Sequence, residues 1–424
     1  MKKQSKFHYA WLILFALCII VGLGKGGLNN TAGQFLPFVT DDLGIGMGKL
    51  SLYFSVSAVV TMLFLPIGGK LMAKYDTRLI LVVGIVLQAG AFALFGAMSS
   101  VWGWYVLAVP LAVGGVFITV IAGPVIINQW FKKKNGLALG ILSAAGGLLG
   151  AIVQPVAGNL IATQGWRFTY IALGVAVIAI VVPIVLFIIK RSPQAAGVQP
   201  LGADESLENE EVGQEDISTQ GISMKIARKS TAFYALVVFF FLVTSIASFS
   251  MHIPQFLIDK GFDAAETGSV MGVYMIGVLV GSLIIGVLTD KIGSKITSIF
   301  VMAVGVLSVA LLSIATLSSI VVVAVGLLGF ISASIGTLGP SLASSLFGNK
   351  EYSQIYSTAS LGLAISSIVA IPVYGFIYDT YQNYSIALIA IIAMLIINIV
   401  CVLIAFQSKN KLVKDGHWNS TVEE

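Results

Sequence analysis

Charge is scarce in this chain, and its absence is the first information the sequence offers. Only 10% of the 424 residues are Asp, Glu, Lys or Arg, against 57% apolar residues, whereas soluble domains run near a quarter charged. A soluble enzyme is excluded on that ground. Carboxylates are missing from every long apolar run, because all 19 acidic residues lie in loops, termini or helix ends. Histidine is as rare. His8, His252 and His417 share no ligand spacing such as i, i+4, so no metal site is expected. With no acid inside the runs, a Ser–His–acid set cannot be assembled there. No G-x4-G-K-[ST] phosphate loop occurs, which removes an ATP-driven pump. The two cysteines, Cys18 and Cys401, both fall inside apolar runs and read as small packing groups. Neither catalysis nor a cofactor is expected.

What is present is a series of charge-free runs. A bilayer core about 30 Å thick takes roughly 20 helical residues to cross. Runs of that kind cover 7–24, 50–69, 79–131, 136–166 and 168–189, then 230–258, 267–289, 296–349, 352–378 and 380–408. Two of them, 79–131 and 296–349, are long enough for a pair of helices, divided at "SSVWGW" (99–104) and "TLSS" (316–319). The spacing therefore predicts an all-α membrane protein with twelve transmembrane helices. Cytoplasmic loops are enriched in Lys and Arg. Twenty of the 24 cationic residues fall in alternate connections beginning with the N-terminus, against three (Lys49, Arg167 and Lys260) on the opposite side. Both termini are thus expected in the cytosol, in a multi-pass protein of the cytoplasmic membrane. The net charge of +5 then reports topology, with the lipid bilayer as surroundings and no nucleic-acid partner. "MKKQSK" before an apolar run looks like a secretory signal, but no small-residue cleavage site follows, and it reads as an uncleaved helix.

The chain also repeats itself. At a shift of 217 residues Pro37 meets Pro254, Asp42 meets Asp259, Gly69 meets Gly286, Lys74 meets Lys291, Pro155 meets Pro372 and Gly158 meets Gly375. Paired prolines at one offset carry weight, since the chain has only 11. Two pseudo-symmetric six-helix bundles are predicted, residues 1–190 and 229–424, the second ending in a short cytosolic tail. Residues 191–228 join them. This Gly-, Ser-, Glu- and Pro-rich stretch cannot bury enough apolar surface to fold as a domain, and it reads as a mobile cytosolic linker. Its acidic cluster, Glu205 to Asp216, is a solvated run.

Six plus six helices with cytosolic termini and a long central loop resemble the major facilitator superfamily. Its local signature, between the second and third helices of each half, is complete in the second half as "GVLTDKIGSK", with Gly286, Asp290, Lys291, Gly293 and Lys295. The first half reads "GKLMAKYDTR": Gly69, Lys74 and Arg78 fit, Ala73 stands at the Asp position, and Asp76 at the second Gly. In the family this loop acts as a cytoplasmic latch. "NQWFKKKNGLALG" (128–140), "GWRFTY" (165–170) and "RSPQAAGVQPLG" (191–202) are similar to the monocarboxylate and oxalate:formate branch. The resemblance implies a major facilitator fold, working as a monomer, in which two halves rock about a site near the bilayer midplane. It also implies that the first, fourth, seventh and tenth helices line the cavity.

Lys25, in "VGLGKGGLNN", is the one charge inside a run. Fourteen residues beyond Trp11, at ~1.5 Å each, it lies past the midplane. A charge at that depth is costly and faces a cavity or a partner, unless its stem carries it outward to the interface. No run holds an acid to pair with it, so an anionic small-molecule substrate is its simplest partner. Asn29 lies one turn on. In the seventh helix Ser245, Ser248, His252, Gln255 and Asp259 recur at intervals of 3 and 4, one face of a helix. His252 and Lys25 are the candidates for proton coupling, His252 having a purely structural alternative. Ser334, Thr337, Ser341 and Ser344 on the tenth helix, Tyr53, Ser57 and Thr61 on the second, and Tyr274 on the eighth are further lining candidates. Asn128 and Gln129 are candidates for an inner gate. Tyr9, Trp11, Trp102, Trp104 and Trp166 read as interfacial anchors.

Relatives in the monocarboxylate branch commonly carry a basic residue in the eighth helix; here neither the eighth nor the eleventh has one. Lys25 would act alone, which weakens a dicarboxylate reading and favours a monoanion or a largely neutral amphiphile. The expected function is a secondary transporter of a monocarboxylate-like anion, by symport or antiport, with a proton as candidate coupling ion. Xenobiotic efflux is the competing expectation: "GAIVQPVAGN" (150–159) approaches the antiporter signature G-x3-G-P-x2-G-G, with Gln154 and Asn159 in place of two glycines. A non-transporting membrane sensor stands behind both.

Overall fold

Glycines in left-handed conformations decide where the longest apolar runs break. In a computed structural model, which describes residues 8–202, 221–315 and 317–416, the described chain is helical nearly throughout, with two isolated backbone bridges. Ten helical stretches are long and apolar enough to cross a membrane. Two of them, Asn135–Phe187 and Ala264–Ile314, are interrupted at Gly165 (φ 82°, ψ 164°) and Gly293 (φ 79°, ψ 158°). Only glycine adopts these angles without strain. Each stretch is two helices, and the described residues give the twelve that the run lengths predict.

We label them in chain order: α1 Tyr9–Leu43, α2 Met47–Lys74, α3 Thr77–Phe95 and α4 Val101–Trp130. The parts of Asn135–Phe187 before and after Gly165 are α5 and α6. Then come α7 Thr231–Met251, α8 and α9 on either side of Gly293, α10 Ser318–Phe347, α11 Tyr352–Tyr381 and α12 Ser385–Lys414. Both expected divisions hold, since α3 ends before residues 99–104 and α10 begins at Ser318. Apolar side chains face outward, among them Leu63, Phe187 and Ile314. A helix in lipid needs no polar outer face, only internally satisfied backbone.

The chain divides into two compact units, Met1–Glu211 with Ile253–Gly272, and Val212–His252 with Val273–Glu424. The sequence division at 229 assigns 253–272 to the second bundle, whereas this segment packs in the first unit. The reason is a backbone crossing of α5 and α8. A Cβ on Gly158 would lie 2.5 Å from the Ala264 carbonyl and 2.7 Å from Gly268 Cα.

The first unit is built round an aromatic core. Phe35 stacks on Tyr170 at 3.8 Å, and Phe95 on Trp104 at 5.8 Å. Trp104 and Trp166 are buried, which corrects their reading as interfacial anchors; Trp102, 70% exposed, keeps it. Two residues along a helix is about 200° of rotation, so Trp102 and Trp104 point opposite ways.

The described ends of the linker are fastened. In the first unit the Leu201 N–H donates to the Trp130 carbonyl at 2.9 Å, and Lys132 and Lys133 donate to the Leu201 carbonyl. In the second, Ile222 donates to the Phe347 carbonyl at 3.0 Å, and Met224 to the Glu351 carboxylate at 2.8 Å. The acidic cluster, Lys2, Lys3, Lys6 and His417 lie outside the described residues.

Candidate functional site

Midway along α1 the helix widens. Leu23–Asn29 forms a π-helical turn, with the Asn30 N–H reaching back five residues to the Lys25 carbonyl at 2.9 Å. Such turns often mark functional sites. The glycines permit it by letting neighbours close in. A Cβ on Gly26 would lie 2.3 Å from the Gly146 carbonyl and 2.7 Å from Gly150 N, both on α5, and one on Gly24 would lie 2.7 Å from Ile118 Cγ2 on α4.

Gln88 of α3 answers the loosened backbone. Its Nε2 donates to the Gly24 carbonyl at 3.1 Å and to Asn29 Oδ1 at 3.0 Å, and the residue is fully buried. Below it, Gln154 Nε2 donates to the Asn30 carbonyl at 2.9 Å, and Gln34 Nε2 donates to the Gln154 carbonyl at 3.1 Å and to its side-chain oxygen. Gln154, which departs from the antiporter signature, thus ties α5 to α1.

With α3, α4 and α5 against it, α1 keeps an open face that carries Phe15, Lys25 and Asn29 exposed. The Lys25 stem runs over Gly146, where a Cβ would lie 3.6 Å from Lys25 Cδ. Thr119 borders Gly24, its Cγ2 3.5 Å from where a Cβ would stand. Among the described residues Lys25 has no ion pair. The structure therefore brings Lys25, Asn29, Gln88 and Thr119 to one turn of α1. Gln88 and Thr119 are the residues that sequence reasoning missed. The available signal was that Gln88 is the one polar side chain in the interior of α3, and such a residue within a span is retained for a partner.

His252 is wholly enclosed in the second unit. Its Nε2 lies 2.8 Å from the Ile371 carbonyl and its Nδ1 2.9 Å from the Tyr384 hydroxyl. A carbonyl only accepts, so Nε2 carries the hydrogen and Nδ1 accepts from Tyr384. Both nitrogens are engaged, which differs from the cavity-facing position expected. The cause is local: the 3-10 turn Phe249–Met251 interrupts the α-helical phase, so Ser248 and His252 do not continue one face. Ser248 bonds back to the Thr244 carbonyl at 2.8 Å. Gln255 is half-buried, with Nε2 on Asp259 at 2.8 Å.

Tyr53 and Tyr274 are buried rather than lining. Tyr53 packs between Phe54 and Phe95, and the Tyr274 hydroxyl donates to Ser332 at 2.7 Å. Thr337 and Ser341 are half-buried, Thr337 bonding back to the Ala333 carbonyl.

The two latch segments turn by different means. Gly293 makes the break between α8 and α9 by its positive φ. Asp76 at the corresponding place is extended (φ −62°) and N-caps α3, accepting from the Arg78 N–H at 2.8 Å. Gly69, Lys74, Asp290, Lys291 and Lys295 are exposed and Gly286 is half-buried; Lys295 lies 5.8 Å from the Phe406 ring.

Comparison with known proteins fits these helices. The sequence pattern of the Major Facilitator Superfamily matches residues 14–268 and 259–420. The multidrug transporter protein MdtP of Bacillus subtilis is 24% identical over 420 residues, covering 88% of this chain and 76% of its own. The probable sulfoacetate transporter SauU of Cupriavidus necator is 25% identical over 69% of this chain and 67% of its own. The oxalate:formate antiporter of Oxalobacter formigenes is 26% identical over 42% of each. A bacterial homolog of the human lysosomal transporter Spinster, in an inward-facing and occupied conformation, superposes with a TM-score of 0.69 at 12% identity. It covers 98% of this chain and 100% of its own.

Proposed function

Since the chain belongs to the major facilitator superfamily of membrane transporters, we propose that it carries a small organic anion across the cytoplasmic membrane by alternating access. The observation that carries this reading is Lys25. It is a cation midway along a membrane-crossing helix, exposed, and without an ion pair among the described residues. A charge at such a depth is tolerated when it faces water or a partner. With every span free of interior carboxylate, the complementary charge comes from outside the protein. The similarity to a probable sulfoacetate transporter and to an oxalate:formate antiporter supports an oxyanion cargo. Asn29 supplies a neutral amide beside the ammonium, while the Thr119 hydroxyl is spent on the Gly115 carbonyl; Ser248, Gln255, Thr337 and Ser341 stand as separate candidates for contact with the solute. Of the two titratable groups proposed for coupling, His252 is enclosed, and the role passes to Lys25. The protein works as two six-helix bundles with cytosolic termini.

The test is uptake by purified protein in liposomes preloaded with formate, acetate, oxalate or sulfoacetate. Exchange of at least one is expected in the wild type, with KM raised about ten-fold or more in Lys25→Gln, the loss of a charged hydrogen bond. The similarity to MdtP over 88% of this chain favours a second reading, xenobiotic efflux. Transport of a lipophilic cation such as ethidium, with none of the four anions, would replace the first reading with the second.

A further inference from the structure

Side-chain amides are two-faced, one end donating and the other accepting, so which end faces the solute decides what Asn29 can bind. We propose that Gln88 fixes the polarity of Asn29, so that the exposed turn of α1 presents only hydrogen-bond donors, and that this donor-only face selects solutes with an oxyanion group. The proposal rests on the anion-carrier reading above and names what makes the site discriminate.

A backbone carbonyl starts the chain of polarity. The Gly24 oxygen can only accept, so the Gln88 atom 3.1 Å from it is the Nε2 amide nitrogen. The same NH2 lies 3.0 Å from the Asn29 side chain. Two donors do not bond, so Asn29 turns its Oδ1 to Gln88. Its NH2 end is left for the exposed side of α1, where Lys25 stands four residues earlier. An ammonium offers three donors and no acceptor, and the amide NH2 offers two more. A carboxylate or sulfonate, with several oxygens and a negative charge, complements that set. A cation or a donor-rich solute meets like with like.

Two features say that Gln88 is kept for this orientation rather than for packing. Its Oε1 is buried without a partner among the described residues. Such an orphaned acceptor is a cost that an apolar side chain of similar length avoids. The amide also reaches past the helix surface to hold two groups on α1, one of them the backbone of the widened turn.

The experiment measures KM and maximal rate in proteoliposomes for wild type, Gln88→Met, Asn29→Ala and the double variant, with formate, oxalate and sulfoacetate as probes. If Gln88 acts through Asn29, each single change raises KM about five- to ten-fold with maximal rate little altered, and the double variant is no worse than Asn29→Ala alone. Gln88→Glu is expected to be worse than Gln88→Met, because a carboxylate draws the Asn29 NH2 inward and turns its oxygen toward the solute. Effects that multiply in the double variant overturn the proposal, as does a Gln88→Glu protein with wild-type affinity. Asn29→Asp, an exposed change that spares the core, serves should the Gln88 variants not fold. It is expected to raise KM about a hundred-fold by setting a carboxylate beside Lys25, and unchanged affinity overturns the proposal. If the wild type moves none of the probes, the carrier reading and this inference fall together. If the wild type moves them and Lys25→Gln raises KM while the Gln88 and Asn29 effects multiply, only the inference falls.

Discussion

Arg167 and Asp42 meet at 3.0 Å, Nη2 to Oδ2, which ties the C-terminal end of α1 to the turn between α5 and α6. The two side chains are 42% and 49% exposed, so the pair itself is worth about 0–1 kcal/mol. Arg167 does more than pair. Its Nη1 donates to the Met98 carbonyl at 2.9 Å, and its guanidinium lies 4.2 Å from the Trp166 ring centroid. Asp42→Asn is therefore expected to lower the thermal midpoint of the solubilised protein only slightly. Arg167→Ala should lower it several-fold more, reflecting a stability loss of about 2–3 kcal/mol once the orphaned carbonyl and lost ring contact are counted. Equal effects would reduce Arg167 to its ion pair.

The crossing of α1 and α5 leaves no room for a methyl group. At Gly26 a Cβ would stand 2.3 Å from a backbone oxygen of Gly146, and backbone does not step aside as a side chain does. Gly26→Ala is expected to destabilise by about 3 kcal/mol, the upper part of the usual overpacking cost, and to reduce the yield of monodisperse protein. Gly140→Ala, with nothing within 4 Å, is the matched control and should be neutral or slightly stabilising.

His252 is expected to matter to the fold before it matters to transport. Tyr384→Phe removes the donor to Nδ1 and leaves a buried acceptor unmet, a cost of about 1–3 kcal/mol. His252→Ala also opens a cavity and should cost more. Protein that does fold should keep the wild-type pH profile of uptake. A flattened profile in folded His252→Gln would restore the histidine as the coupling group.

The first latch segment should respond as a helix cap. Asp76→Ala is expected to cost about 1 kcal/mol, while Asp76→Ser keeps an N-cap oxygen and most of the stability. At Gly293 the determinant is φ, so Gly293→Ala should cost about 1–2 kcal/mol, whatever its neighbours. Thermal unfolding of the four proteins orders these effects.

Charge and proton roles of Lys25 can be separated by arginine, which stays protonated throughout the accessible range. If Lys25 carries the coupling proton, wild-type affinity for the anion falls as rising pH discharges the ammonium. Lys25→Arg should then retain binding while its affinity stays flat with pH. Uptake measured from neutral to alkaline pH decides, and parallel profiles would place the coupling proton elsewhere.

The twelve crossings were legible because a bilayer imposes length and charge rules that a sequence displays openly. Even the hidden breaks in Asn135–Phe187 and Ala264–Ile314 were marked by Arg167 and by Asp290 with Lys291. Facing was harder. A helix apolar all round gives no moment to say which side is inside, so Tyr53 and Tyr274 read as cavity-lining residues and Trp104 as an interfacial anchor, and all three are buried. The seventh-helix stripe assumed one unbroken period, which the 3-10 turn Phe249–Met251 breaks. Lys25 announced itself by charge, whereas Gln88, marked only as a polar side chain inside α3, finds its partners in two groups on α1, 59 and 64 residues away.

The widened turn also sets the angular register of all that follows it in α1. A turn closed over five residues rather than four inserts one surplus residue, about 100° of rotation at 3.6 residues per turn. The segment Ala32–Leu43 is aimed by that surplus: Gln34 finds Gln154, and Phe35 lies flat on Tyr170, only because the helix has been wound on by one step. Excising any one glycine of Leu23–Asn29 would leave composition and hydropathy almost untouched, yet swing both side chains a quarter-turn or more off their partners.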